Sequence, residues 1–140
     1  MQKLPSVLLV DDDPTTNFLN EHLLRTLGVT EECLVATNGA EALEVLARTC
    51  APAGAACPAL ILLDVNMPVM NGIDFLEAFQ PDPPASKIVI ILLTTTLLGR
   101  DLGDLQHSQA IAGIISKPLT RAKINDLLQQ YFQRELPGAA

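Results

Sequence analysis

The chain has 140 residues, 49% hydrophobic and 18% charged, with a formal net charge of −7. That length suits one domain with a sizeable core, and the composition excludes a disordered segment. The acidic balance argues against direct nucleic-acid binding, which needs clustered Lys and Arg. No apolar run is long enough to span a bilayer and the opening MQKLPS lacks a signal-peptide core, so a cytoplasmic protein without a membrane partner is expected.

Apolar runs alternate with amphipathic stretches along the chain. Val7–Val10 reads as the first strand. Thr15 to Leu27 reads as a helix with Phe18, Leu19, Leu23 and Leu27 on one stripe, stopping at Gly28. Cys33–Ala36 is the second strand. After the turn residues Asn38 and Gly39, the stretch from Ala40 to Arg48 places Ala40, Leu43, Leu46 and Ala47 inward at helical spacing. A loop of small residues, TCAPAGAACP, precedes the third strand, Leu60–Leu63. Ile73 to Phe79 is a third helix, broken by QPDPPAS. Ile88–Leu93 is the fourth strand, Leu102 to Ile111 a weaker helix, and Gly113–Ile115 a short fifth strand. Thr120 is a candidate N-cap for a final helix in which Ile124, Leu127, Leu128 and Tyr131 form a stripe.

The three cysteines, Cys33, Cys50 and Cys57, lack metal-ligand spacing and are expected to be reduced thiols. Cys50 and Cys57 could pair across their loop, though nothing in the sequence requires it. His22 and His107 lie far apart and read as ordinary helix residues.

Five strands alternating with five helices imply a parallel sheet with helices on both faces, a three-layer α/β sandwich. The continuous aliphatic strands fit that burial. In such a sheet ligands gather at the carboxyl ends of the strands, so those ends can be inspected in turn. The first strand runs into Asp11, Asp12 and Asp13, the third into Asp64, the fourth into Thr94, and the fifth, GIISKP, into Lys117 and Pro118.

At a separation of about 4 Å near a protein surface, one like-charge pair costs on the order of 4 kcal/mol, so a run of acids here asks for compensation. Mg²⁺ would provide it, since that ion prefers a few carboxylates plus waters and phosphate oxygens. One carboxylate is then available as a nucleophile, with the metal, Lys117 and Thr94 receiving the oxygens of a transferring phosphoryl group.

VLLVDDDP, LILLDVNMPVMNG, LLTTT and IISKP, in this order and spacing, resemble the receiver domain of two-component response regulators. The resemblance runs from about Ser6 to Phe132 and implies a flavodoxin-like (βα)5 fold with strand order 2-1-3-4-5. A single receiver domain over residues 1–140, with no effector domain, is the expectation. Asp64 matches the phospho-accepting aspartate. Asp11 and Asp12 match the acidic pair, with Asp12 the more direct Mg²⁺ ligand and Asp11 acting largely through water. The main-chain carbonyl of Asn66 would complete the protein's share of the metal shell. Thr94 matches the hydroxyl residue that meets the phosphoryl group, Lys117 the lysine that pairs with it, and Pro118 the proline after a cis peptide bond. Three consecutive threonines leave the register open by one; Thr94 is preferred because it follows the apolar run directly, with Thr95 the alternative. The residue three before the lysine, usually aromatic in the family, is Ile114 here, so no swinging-aromatic switch is implied.

The resemblance also implies partners. A sensor histidine kinase or phosphotransfer protein would supply the phosphoryl group, and a downstream protein would read the phosphorylated state. Homodimerisation is left open, and enzymatic activity would be limited to Mg²⁺-dependent self-phosphorylation and autodephosphorylation. Asp13 alone among the three acids reads as a helix cap, where the macrodipole favours negative charge.

Two other readings compete. Asp11 to Thr15 also fits D-x-D-x-T, the opening motif of haloacid-dehalogenase-type phosphatases, with Asp11 as nucleophile and Asp13 as acid/base. That family needs a further acidic pair after its lysine, and only Asp126 and Glu135 follow Lys117 here. The other competitor is a degenerate receiver that binds partners without being phosphorylated.

Overall fold

Each strand is a short aliphatic run, and the way its side chains alternate sets the layers of the molecule. The computed structural model describes residues 4, 6–50, 58–64, 75, 78, 88–94, 112–116 and 119–132. Within them lie β1 (Val7–Val10), α1 (Pro14–Thr26), β2 (Cys33–Ala36), α2 (Gly39–Thr49), β3 (Leu60–Asp64), β4 (Val89–Thr94), β5 (Gly113–Ser116) and α3 (Arg121–Phe132). The third and fourth helices expected from the sequence lie outside the described residues, apart from the helical Phe75 and Ala78.

The five strands form one parallel sheet in the order β2-β1-β3-β4-β5, the flavodoxin-like arrangement. Because strand side chains alternate with a period of two, each strand feeds both faces. Leu8, Val10, Ile61, Leu63, Ile90 and Leu92 face α2 and the fully buried Phe75. Val7, Leu9, Leu60, Leu62, Ile91 and Leu93 face α1 and α3. Two cores thus share one sheet, and every residue of β1 and β3 is buried.

Local signals close the helices. Gly28 adopts φ 70° just after α1, a conformation that glycine enters without steric penalty. There its N–H donates to the Arg25 carbonyl at 3.1 Å, while the Val29 N–H donates to that of Leu24 at 3.0 Å. Both Val29 and Leu24 are buried, so the helix ends on paired hydrogen bonds and an apolar contact. Asn38 caps α2 through its side chain, and Thr120 accepts from the Lys123 N–H at the start of α3. Gly113 opens β5 beneath Tyr131, whose hydroxyl donates to the Ala112 carbonyl; a Cβ on Gly113 would sit 2.5 Å from that hydroxyl.

Two helix faces differ from the sequence reading. In α1 the buried residues are Asn17, Asn20 and Leu24, whereas Phe18 and Leu19 are 66% and 57% exposed. The apolar stripe chosen from the sequence is therefore rotated away from the sheet at its N-terminal end, and two asparagines take its place. In α2 the inward residues are Gly39, Ala42, Val45 and Leu46, with Ala47 exposed. The cysteines differ too. Cys50 is disulfide-bonded rather than reduced, and Cys33 carries a free thiol.

Burial pushes the Cys33 thiol above its usual range and Glu21 adds to the effect, opposed by Arg25. Since the folded chain holds that proton more tightly than the unfolded chain, raising the pH through the thiol range lowers stability. Alkylation of Cys33 at mildly alkaline pH should accordingly be slower in the native protein than in urea, as read by mass spectrometry of the labelled peptide. Leu8 is fully buried on an interior strand of the sheet, and Leu8→Ala should destabilise the fold by about 2–5 kcal/mol, measured by urea unfolding.

Candidate functional site

Parallel register carries the polar ends of the strands to one edge. Val10 pairs with Leu63, so the next residues on β1 and β3, Asp11 and Asp64, are neighbours. Asp64 in turn pairs with Leu93, and Thr94 pairs with Ser116, so β4 delivers Thr94 to the same edge. The aliphatic core drives this convergence: a slip of one residue would turn each strand's inward side chains to the other face.

The three consecutive acids after β1 go three different ways. Asp11 is 3% exposed and is held at several atoms. Its N–H donates to the Ala36 carbonyl at 3.1 Å, extending the ladder to β2. Its Oδ1 accepts from the Asp13 N–H at 2.9 Å, and its main-chain carbonyl accepts from Asn17 Nδ2 at 2.8 Å. Asp12 is exposed. Asp13 turns toward the helix, its Oδ1 accepting from the Thr15 N–H at 3.0 Å and its Oδ2 from the Thr16 hydroxyl at 2.8 Å. With Pro14 beginning α1, Asp13 is an N-cap.

Asp11, Asp12 and Asp64 each offer a carboxylate oxygen, and these oxygens lie within 4.8 Å of one another. Asp64 is only 6% exposed. Two buried carboxylates and one exposed carboxylate at such separations repel one another strongly unless a cation or protons intervene. The donor set is all oxygen and partly open to solvent, which fits a hard divalent ion that retains some water. It does not fit a soft metal, for which sulfur or imidazole ligands would be expected. Asp13 stands outside this cluster, with both oxygens engaged at the cap.

Of the residues singled out from the sequence, Asp11, Asp12 and Asp64 are brought together, and the main chain of Thr94 ends β4 beside them. Asn66, Thr95, Lys117 and Pro118 lie outside the described residues. Sequence reasoning missed Asn17, whose side chain fixes the Asp11 carbonyl. Its only signal was spacing, since Asn17, Asn20 and Leu24 recur at helical intervals.

A parallel sheet in this order with carboxylates gathered at its carboxyl edge defines a flavodoxin-like protein of the receiver type. A family model described as the response regulator receiver domain matches residues 7–129. The two-component response regulator ARR22 of Arabidopsis thaliana is 33% identical over 134 residues, covering 94% of this chain and 86% of that protein. Chemotaxis protein CheY-3 of Vibrio cholerae is 29% identical over 137 residues, covering 96% of each. Among solved structures, a two-component response regulator from Cytophaga hutchinsonii superposes with a TM-score of 0.83 at 33% identity, over 95% of this chain and all of that one. The receiver domain of sensor histidine kinase PA1611 from Pseudomonas aeruginosa, described with magnesium coordinated in its active-site cleft, gives a TM-score of 0.75 at 25% identity, covering 93% and 98%.

The chain belongs to the response regulator receiver domain family, the signalling receivers of two-component systems. Among the described residues no helix is long and apolar enough to cross a membrane. Loss of the Asp13 cap in Asp13→Ala should lower stability by about 1 kcal/mol, visible as a reduced thermal midpoint, while leaving the three-carboxylate cluster intact.

Proposed function

We propose that this receiver accepts a phosphoryl group on Asp64 from a sensor histidine kinase or phosphotransfer protein, in a Mg²⁺-dependent reaction. The observation that carries this reading is the approach of the Asp11, Asp12 and Asp64 carboxylates to within 4.8 Å at the carboxyl edge of the sheet. The magnesium described for the Pseudomonas aeruginosa receiver supports the choice of ion. In the transfer, a carboxylate oxygen of Asp64 bonds to phosphorus as the N–P bond of a phosphohistidine breaks. The bonding electron pair stays on the departing imidazole nitrogen, and no proton is needed from Asp64.

Bound Mg²⁺ supplies charge neutralisation and polarises the phosphoryl oxygens. Asp12, which is exposed, would be the more direct ligand, whereas Asp11, which already accepts the Asp13 N–H, would act largely through water. The Asn66 carbonyl would complete the protein ligands. Thr94 and Lys117 then receive phosphoryl oxygens by hydrogen bond and charge, which favours the transition state over the free donor. Burial of Asp64 limits water access and so slows hydrolysis of the acyl phosphate.

The chain works as a single receiver domain in the cytoplasm. Phosphorylation shifts the balance of two surface states, and a downstream protein or a second copy of the chain reads the change. With Ile114 at the position where the family usually has an aromatic residue, no ring rotation is assigned to this shift.

Incubation with a small-molecule phosphodonor and MgCl₂ should add one phosphoryl group, mapped to Asp64 by peptide mass spectrometry, and Asp64→Asn should abolish it. Removing Mg²⁺ with a chelator should slow labelling. Persistent labelling of Asp64→Asn on Asp11 would point to the phosphatase reading, an unlabelled wild type to a degenerate receiver, and equal rates with and without Mg²⁺ against the role of Asp12.

A further inference from the structure

Asn17 sits in the first turn of α1, yet it is 4% exposed. Asparagine is seldom buried, and a buried amide is tolerated when its polar atoms find partners. Here only half of it does. Nδ2 donates to the Asp11 carbonyl at 2.8 Å, whereas Oδ1 is buried with no hydrogen-bond partner among the described residues. If this position served the core alone, leucine would serve it better, as Leu24 does two turns further along the same buried face. Some other demand keeps a carboxamide there.

The bonds around Asp11 show what that demand is. The Asp11 N–H is fixed by the Ala36 carbonyl, and the Asp11 side chain by the Asp13 N–H. Neither bond sets the rotation of the next peptide unit, the one that joins Asp11 to Asp12. Its carbonyl is gripped by the side chain of Asn17, whose own N–H donates to the Asp13 carbonyl at 3.1 Å. Asn17 therefore holds the chain on both sides of Asp12. Peptide units are planar, so fixing the Asp11 carbonyl also fixes the Asp12 nitrogen and Cα, the point from which its side chain departs.

We propose that Asn17 is a positioning residue for the metal site: by clamping the Asp11–Asp12 peptide it keeps the exposed Asp12 carboxylate aimed at Asp64, ready to share a divalent cation. The inference rests on the Mg²⁺-binding reading of the site and goes further by naming the residue that prearranges it. Groups that orient metal ligands without touching the ion commonly change affinity 10–100-fold when removed.

The test is a titration of the full chain with MgCl₂, followed by amide NMR shifts, alongside thermal melting in chelator. Asn17→Leu removes an unpaired buried acceptor but strips the Asp11 carbonyl of its donor. These effects oppose each other, so its melting temperature should stay near that of the wild type. Its Mg²⁺ dissociation constant should rise about tenfold or more. Asn17→Ala, which cannot crowd the site, should show the same loss of affinity. Asn20→Leu, one turn further along the buried face, should bind Mg²⁺ like the wild type.

Wild-type affinity in the folded Asn17 variants would overturn the positioning role while leaving the metal site standing. So would an equal loss in Asn20→Leu, which would trace the effect to general packing of α1. A wild-type chain with no saturable response to MgCl₂ would overturn the metal reading and this inference with it.

Discussion

Three carboxylates held close together are the constraint around which this molecule is arranged. Left alone, Asp11, Asp12 and Asp64 would separate, because their mutual repulsion is relieved by distance and by water. The sheet denies both to Asp11 and Asp64. β1 and β3 are buried on either face and locked in register, so the first residues past the aliphatic runs emerge side by side. Apolar burial across two cores outweighs the electrostatic strain at one edge, and that edge becomes a place where a small cation has a large effect.

The support for the site is graded. Asp64 ends β3, a strand with hydrogen-bonded neighbours on both sides, and is itself in register with Leu93 of β4. Asp11 extends the β1 ladder by one bond to Ala36 and is secured by Asn17 and Asp13. Asp12 lies between anchored residues and faces solvent. In the proposed reaction this gradient suits the roles: a firmly seated nucleophile, a structural acid behind it, and an accessible acid where an ion can enter and leave.

Where burial on both faces dictated the pattern, the strands could be read almost to the residue. β1 and β2 lie where the aliphatic runs placed them, and β3, β4 and β5 shift by a residue or so at their ends. The strand ends were legible for the same reason, since a parallel sheet has only one edge at which Asp11, Asp64 and Thr94 can meet. The helix faces were less legible. In α1 the apolar residues Phe18 and Leu19 turn outward while Asn17 and Asn20 turn in, and hydropathy does not register the bond that holds Asn17 to the Asp11 carbonyl. In α2 small residues such as Gly39 and Ala42 pack close to the sheet, and a search for larger apolar side chains passes over them. The state of Cys50 was beyond the sequence for a different reason, since its pairing depends on loop geometry that spacing leaves open.

The way Asp13 finishes the acidic run also bears on how the segment can evolve. Its two oxygens start a helix while Asp11 ends a strand, so a single residue spans the gap between two rigid pieces of architecture. Along this triplet, length matters as much as chemical identity. Inserting or deleting one amino acid would swap capping and coordinating positions or tear the strand from its helix, so indels should be purged here even where point changes are tolerated.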